Sequence, residues 1–158
     1  MLVAATLGWA TMLPGILAAQ VQQPFQSELR LDAIFASSSA VHAAYGFTIP
    51  AGVYVRPGLV AGIGVGRHGV EGRTDLMARF SLDPFRQSRW APYAGAGLSG
   101  RYRSELDGGS RAYVLVFVGF EGPLPLGGTR GWVPALEVGL GGGGRVGVAF
   151  RRGINARR

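Results

Sequence analysis

The sequence predicts an all-β fold, an eight-stranded antiparallel up-and-down transmembrane β-barrel after an N-terminal signal peptide. Three observations carry that expectation. With 27 Gly and 9 Pro in 158 residues, long helices lose support, because an interior Gly costs about 1 kcal/mol relative to Ala and a Pro about 3. After residue 20, apolar residues recur at every second position, the period of a strand with two unlike faces. The face that holds the charges also holds many of the glycines, while the opposite face is almost free of charge.

The first twenty residues, MLVAATLGWATMLPGILAAQ, carry no charged side chain and end on small residues before the polar QVQQPFQSE. The expected organisation is a signal peptide over residues 1–20 and one barrel domain over residues 21–158. An uncleaved anchor helix is the other reading, since about 20 apolar residues also span a bilayer.

The strands follow in order. In the first, Leu29, Leu31, Ala33 and Phe35 share a face opposite Arg30, Asp32, Ile34 and Ala36. The second sets Val41, Ala43, Tyr45, Phe47 and Ile49 against His42, Ala44, Gly46 and Thr48, and IPAG then turns the chain. In the third, Val53, Val55, Leu59, Ala61, Ile63 and Val65 oppose Arg56, Gly58, Gly62, Gly64 and Gly66. The fourth sets Leu76, Ala78, Phe80 and Leu82 against Asp75, Met77, Arg79 and Ser81. The fifth has Ala94, Ala96, Leu98 and Tyr102 opposite Gly95, Gly97, Ser99, Arg101 and Arg103. Both faces of the sixth are apolar, Val114, Val116, Val118 and Phe120 against Tyr113, Leu115, Phe117 and Gly119. Leu136, Val138 and Leu140 define the seventh, and Val146, Val148 and Phe150 the eighth.

Which face is inside separates a soluble carrier from a membrane barrel, because the two invert the pattern. A solvated exterior would carry more long charged side chains and fewer glycines, and an eight-stranded barrel has room inside only for side chains. The polar face is therefore expected inside. Its ionised groups must pair, since an isolated buried charge costs several kcal/mol. The expected interior salt-bridge network is Arg30, Asp32, Arg56, Asp75, Arg79, Glu137 and Arg145. Glu137 has Arg145, Arg30 and Arg56 as candidate partners, and Asp32 and Asp75 take other arginines. Such a network plugs the lumen.

If odd strands start and even strands end on the periplasmic side, Phe25, Phe47, Phe80, Trp90, Phe120, Trp132 and Phe150 gather at one rim with lipid-facing parity. That is the pattern of an aromatic girdle. Tyr54 falls at the same rim with the other parity.

Every basic side chain is arginine, and the formal net charge is +7. Arg67, Arg73, Arg101, Arg103 and Arg111 are expected at the outer rim, where they would meet the phosphates of membrane lipid, including lipopolysaccharide. Glu71, Glu105 and Asp107 share that rim and reduce its excess charge. The arginines alternate with apolar residues instead of forming an exposed stripe, which argues against nucleic acid. The outer loops, SSSA, RHGVEGR, SELDGGSR and GGGG, are short. There is no cysteine, no metal-ligand spacing and no implied cofactor. GIGVG and GGGG lack the strand, loop and helix context of a phosphate-binding site. The oligomeric state is not indicated.

With RWAPYAGAGLSGRYR entering the fifth strand, AYVLVFVGFEGPL in the sixth and VPALEVGLGGGGRVGVAF at the end, the chain resembles the small outer-membrane barrels of the OmpA-transmembrane-domain, OmpX and OmpW type. The resemblance implies a bacterial outer-membrane location and insertion by the outer-membrane assembly machinery. Such barrels usually finish on an aromatic residue. Here Phe150 would take that part, with RRGINARR as a periplasmic extension. Barrels resembling lipid A deacylases instead use a His and a Ser two apart near the chain end. Neither His42 nor His68 has that spacing, so His42 reads as an inward filler and His68 as a loop residue. The functional expectation is a non-enzymatic barrel with a structural or envelope-integrity role. The alternative is a barrel carrying a small apolar ligand or lipid, with Tyr113, Leu115 and Phe117 as its inner patch, either in the membrane or as a soluble exported protein.

Overall fold

In the computed structural model, residues 25–37, 39–67, 69–85, 87–103, 109–123 and 131–153 are described. The apolar segment 1–20, His68, Glu105, Asp107 and most of the C-terminal tail lie outside them. Eight strands follow one another: β1 (Gln26–Phe35), β2 (Ala40–Thr48), β3 (Val55–Gly66), β4 (Gly69–Ser81), β5 (Ala91–Arg103), β6 (Ser110–Glu121), β7 (Val133–Leu140) and β8 (Gly144–Arg152). Each pairs antiparallel with its sequence neighbours, and β8 returns to β1 to close the barrel. Leu31 faces Val148 across that seam and Ala43 on the other side.

The two faces are inverted relative to a water-soluble protein. Leu31, Ile63 and Val114 are 58%, 71% and 70% exposed, whereas Arg30 and Asp75 are 2% and 0% exposed. The strands form because β-branched and aromatic residues line one side and charged or small ones the other, which suits a pleated wall with a narrow interior. The turn after β2 bends at Gly52, whose φ of 85° lies in the left-handed region that glycine reaches at no steric cost.

Most interior glycines answer to space. A Cβ added at Gly95 would lie 2.1 Å from Phe117 Cζ, and one at Gly147 the same distance from Asp32 Oδ1. Both positions are closer than any real contact. The lumen side chains therefore occupy volume that the facing strand has vacated.

One strand boundary corrects the sequence reading. RHGVEGR was expected as an outer loop, yet β4 begins at Gly69, so Glu71 and Arg73 belong to a strand and point inward. The hairpin is pinned by pairing of Gly66 with Gly69 and Val65 with Val70. The glycines that looked like loop signals lie within a tight two-stranded end.

Candidate functional site: the lumen network

The inward positions of β1 place Glu28, Arg30 and Asp32 at successive levels. Arg30 is the hub. Its Nη1 donates to Glu28 Oε1 at 3.1 Å, its Nε to Asp32 Oδ2 at 3.1 Å, and its Nη2 to Glu137 Oε2. Below it, toward the chain ends, Arg151 binds Glu28 Oε2 through Nε at 3.1 Å, Glu137 Oε1 through Nη2, and Glu121 through Nη1. The Tyr93 hydroxyl donates to Glu137 Oε1 at 2.8 Å and accepts from Arg151 Nη2 at 2.9 Å. The Arg151 guanidinium also stacks 4.5 Å from the Tyr93 ring centroid, a cation–π contact strengthened by burial. Arg79 completes this level with Glu28 at 2.7 Å and Gln26 at 3.1 Å.

Above Arg30, Arg73 and Arg145 share Asp32 and Asp75, and the Ser99 hydroxyl donates to Asp75 Oδ1 at 2.6 Å. Higher still, Glu71 accepts from Arg101 and from Arg103 Nε at 2.9 Å. His42 lies beside it, wholly buried, with Nε2 3.7 Å from Glu71 Oε2. The result is a column of alternating acids and bases along the lumen. Around β6 the space is filled by a small apolar cluster in which Tyr93 meets the Phe117 ring edge-on at 6.4 Å and Leu115 is fully buried.

Arg30, Asp32, Asp75, Arg79, Glu137 and Arg145 all stand inside and all take part in ion pairs. Arg56 is half-buried at the terminus-side mouth, lining a cavity of about 70 Å³ beside Gln26, Arg79 and Glu121. Of the candidates for Glu137, Arg30 is a partner. The other is Arg151, while Arg145 goes to the two aspartates. Sequence reasoning missed Glu28, Glu71, Tyr93 and Arg151. Their inward parity was the available signal, obscured because each lies near a strand end.

Two positions expected to touch lipid must be corrected. Arg73 and Arg101 are 3% and 4% exposed and point into the lumen, where Asp32, Asp75 and Glu71 hold them. Their parity matches that of Asp75 and Ser99, so they cannot reach the outer wall. Arg103 is partly exposed but also bound to Glu71, whereas Arg67 and Arg111 are exposed at the end of the barrel remote from the chain termini. At the opposite rim, Phe25, Phe47, Phe80, Trp90, Phe120 and Phe150 are exposed and Trp132 is half-buried just before β7.

No protein-family model and no curated protein matches the sequence. Among solved structures, a de novo designed transmembrane β-barrel is similar to it over 84% of this chain and 98% of the other, with a TM-score of 0.57 and 14% identity. The fold is that of a small transmembrane β-barrel. The N-terminal β-barrel domain of Pseudomonas aeruginosa OprF is also similar, with a TM-score of 0.50 and 15% identity over 80% of this chain and 96% of that one. In such a barrel the apolar wall contacts lipid, and ionised side chains at membrane depth belong in the lumen, which is the division of residues described above.

Proposed function

We propose that this protein is a non-enzymatic integral barrel of the bacterial outer membrane with a structural or envelope-integrity role and a plugged interior. The observation that carries the reading is the interior column of ion pairs. It spans the lumen from wall to wall, as where Arg73 and Arg79 of β4 reach Asp32 and Glu28 of β1. Glu28, Asp32, Glu71, Asp75 and Glu137 are each held by at least two arginines, so the groups are committed to one another. The serine beside a carboxylate, Ser99 on Asp75, is fully buried and its acid is held by Arg73 and Arg145, which does not suit the accessible nucleophile and free base that acyl or phosphoryl transfer needs. The filled space around Leu115 and Phe117 favours a structural barrel over a carrier with an internal ligand.

In this reading the exposed aromatics at the terminus-side rim form the periplasmic girdle, and Phe150, outward on β8 and paired with Leu29 and Pro134, is the aromatic presented to the assembly machinery. The test is membrane fractionation of the expressed protein. Retention through a carbonate wash together with a shift in gel migration on boiling is the expected result. Release as a soluble protein would overturn it.

A further inference from the structure

Toward the end of the lumen remote from the termini, five inward positions on neighbouring strands form one row. Ala44 pairs with Gly62, Gly62 with Arg73, Arg73 with Arg101 and Arg101 with Arg111. Arginines therefore stand side by side on β4, β5 and β6, and Arg73 and Arg101 are buried there. Like charges directly opposite one another in a sheet repel, so the row is stable only with negative charge close to it.

The nearby carboxylates do not use all that these two arginines offer. Arg73 gives Nη2 to Asp32, while its Nε lies 3.3 Å from Asp75 Oδ2 without the alignment to donate. Arg73 Nη1 and Arg101 Nε have no hydrogen-bond partner among the described residues, although Arg101 holds Glu71 and the Gly142 carbonyl through its other nitrogens. His42, wholly buried, leaves both ring nitrogens unpartnered beside the same Glu71 oxygen that Arg101 binds. On the other flank of Arg73 the row continues into Gly62 and Ala44, which bring no polar side-chain atom. A buried donor on a charged group is costly to leave unmade.

The charges of the interior do not balance. Among the described residues, Arg30, Arg73, Arg79, Arg101, Arg145 and Arg151 are buried in the lumen against the five carboxylates of Glu28, Asp32, Glu71, Asp75 and Glu137. At the two mouths the half-buried Arg56, Arg103, Asp83 and Glu121 add two of each sign. One positive charge is left over. Arg30 and Arg151 bind carboxylates through Nε and both Nη nitrogens, so the shortfall falls on Arg73 and Arg101, where the unspent donors are. Arg79 Nε is also unpartnered, but Arg79 lines the terminus-side cavity of about 70 Å³, which has room for water.

We propose that the lumen binds one small monovalent anion, of the size of chloride, between Arg73 and Arg101 with the His42 ring beside it. A water molecule would accept from the same donors but leave the surplus charge in place, and an uncompensated buried charge is the costlier of the two. The interior of an eight-stranded barrel sets the size limit, because side chains fill it and an organic anion has no room. The inference concerns the lumen alone, so it stands apart from what the outer wall faces.

The test follows urea unfolding of the refolded protein in uncharged detergent at neutral pH and fixed ionic strength, with sodium gluconate replaced stepwise by sodium chloride. Screening is then constant. A site filled only in the folded state lowers the unfolding equilibrium constant about tenfold for each tenfold rise in chloride above its dissociation constant. Wild type and Arg67→Gln, at an exposed turn, are expected to show that slope. Arg101→Gln, which leaves five buried arginines against the five acids, is expected to lose it. Crystals soaked in bromide give a second reading that needs no variant, with an anomalous peak expected within hydrogen-bond distance of Arg73 and Arg101. Absence of chloride dependence in wild type overturns the proposal and assigns the counter-charge to the chain itself. A slope kept by folded Arg101→Gln, or bromide found only at other residues, overturns it as well. If Arg101→Gln does not fold, the position of bromide decides alone.

Discussion

Arg145 on β8 and Asp75 on β4 meet across the full width of the lumen, Nη1 to Oδ2 at 2.8 Å, although three strands separate them in either direction around the wall. Neither side chain leaves solvent-accessible space at that level, both being 5% exposed or less. The pair acts as a crossbar, and its removal has an electrical readout. Replacing both with alanine removes one charge of each sign and two bulky side chains, so the charge balance of the column is kept. Conductance across a planar bilayer is expected to rise from near baseline in wild type to resolvable steps in the double variant.

Arg30 touches three carboxylates, those of Glu28, Asp32 and Glu137. Arg30→Ala takes one counter-charge from each of them in a low-dielectric interior while Arg73, Arg79, Arg145 and Arg151 remain, and breaking a buried pair from one side costs about 3–5 kcal/mol. Urea unfolding of the refolded barrel should show that loss as a lower midpoint. Arg67→Ala, at an exposed turn, should stay within about 0.5 kcal/mol of wild type.

The Phe117 ring lies against Gly95, where an added Cβ would be 2.1 Å from Cζ. Gly95→Ala is expected to prevent the gel shift on boiling or to reduce it sharply. Phe117→Leu, which removes the far edge of the ring, should restore folding in the double variant. The interaction energy from the double-mutant cycle should then be large for residues in direct contact, on the order of 1–3 kcal/mol. Additive effects would show that the ring has another place to go.

Ile63 is the most exposed large apolar side chain among the described residues, at 71%, and lies well inside β3. An arginine there faces lipid, which costs about 2–4 kcal/mol at the midplane of a barrel wall. Ile63→Arg should shift the protein from the membrane pellet toward aggregate or degradation. Gly64→Arg, one residue on, is a different case: its side chain would enter the lumen against His42, so it should fail through crowding rather than lipid exposure, and folding in detergent should be impaired as well as insertion.

The strand pattern was legible because a wall between lipid and a narrow lumen enforces alternation at nearly every position. Leu29, Arg30, Leu31 and Asp32 alone show it. The partners within the lumen were less legible, for two physical reasons. Pairing there depends on barrel register and side-chain reach, so Glu137 on β7 meets Arg151 near the end of β8 while Arg145, closer in sequence, crosses to β4. Strand ends also resemble loops in composition. Glu71 and Arg73 were read with the outer hairpin because glycines flank them, and Arg101 because it approaches the rim, although the parity of all three with Asp75 and Ser99 already placed them inside.

The pairing of β8 with β1 has a consequence for how the chain matures. The final strand brings Arg145 and Arg151, two cations that neutralise acids already present on β1, β4 and β7. Until that strand docks, Glu28, Asp32, Asp75 and Glu137 lack part of their counter-charge, and an unclosed sheet holding them would resist transfer out of water. Sealing the cylinder and discharging its interior are therefore a single event, so the strand that closes the barrel also completes the condition for entering the bilayer.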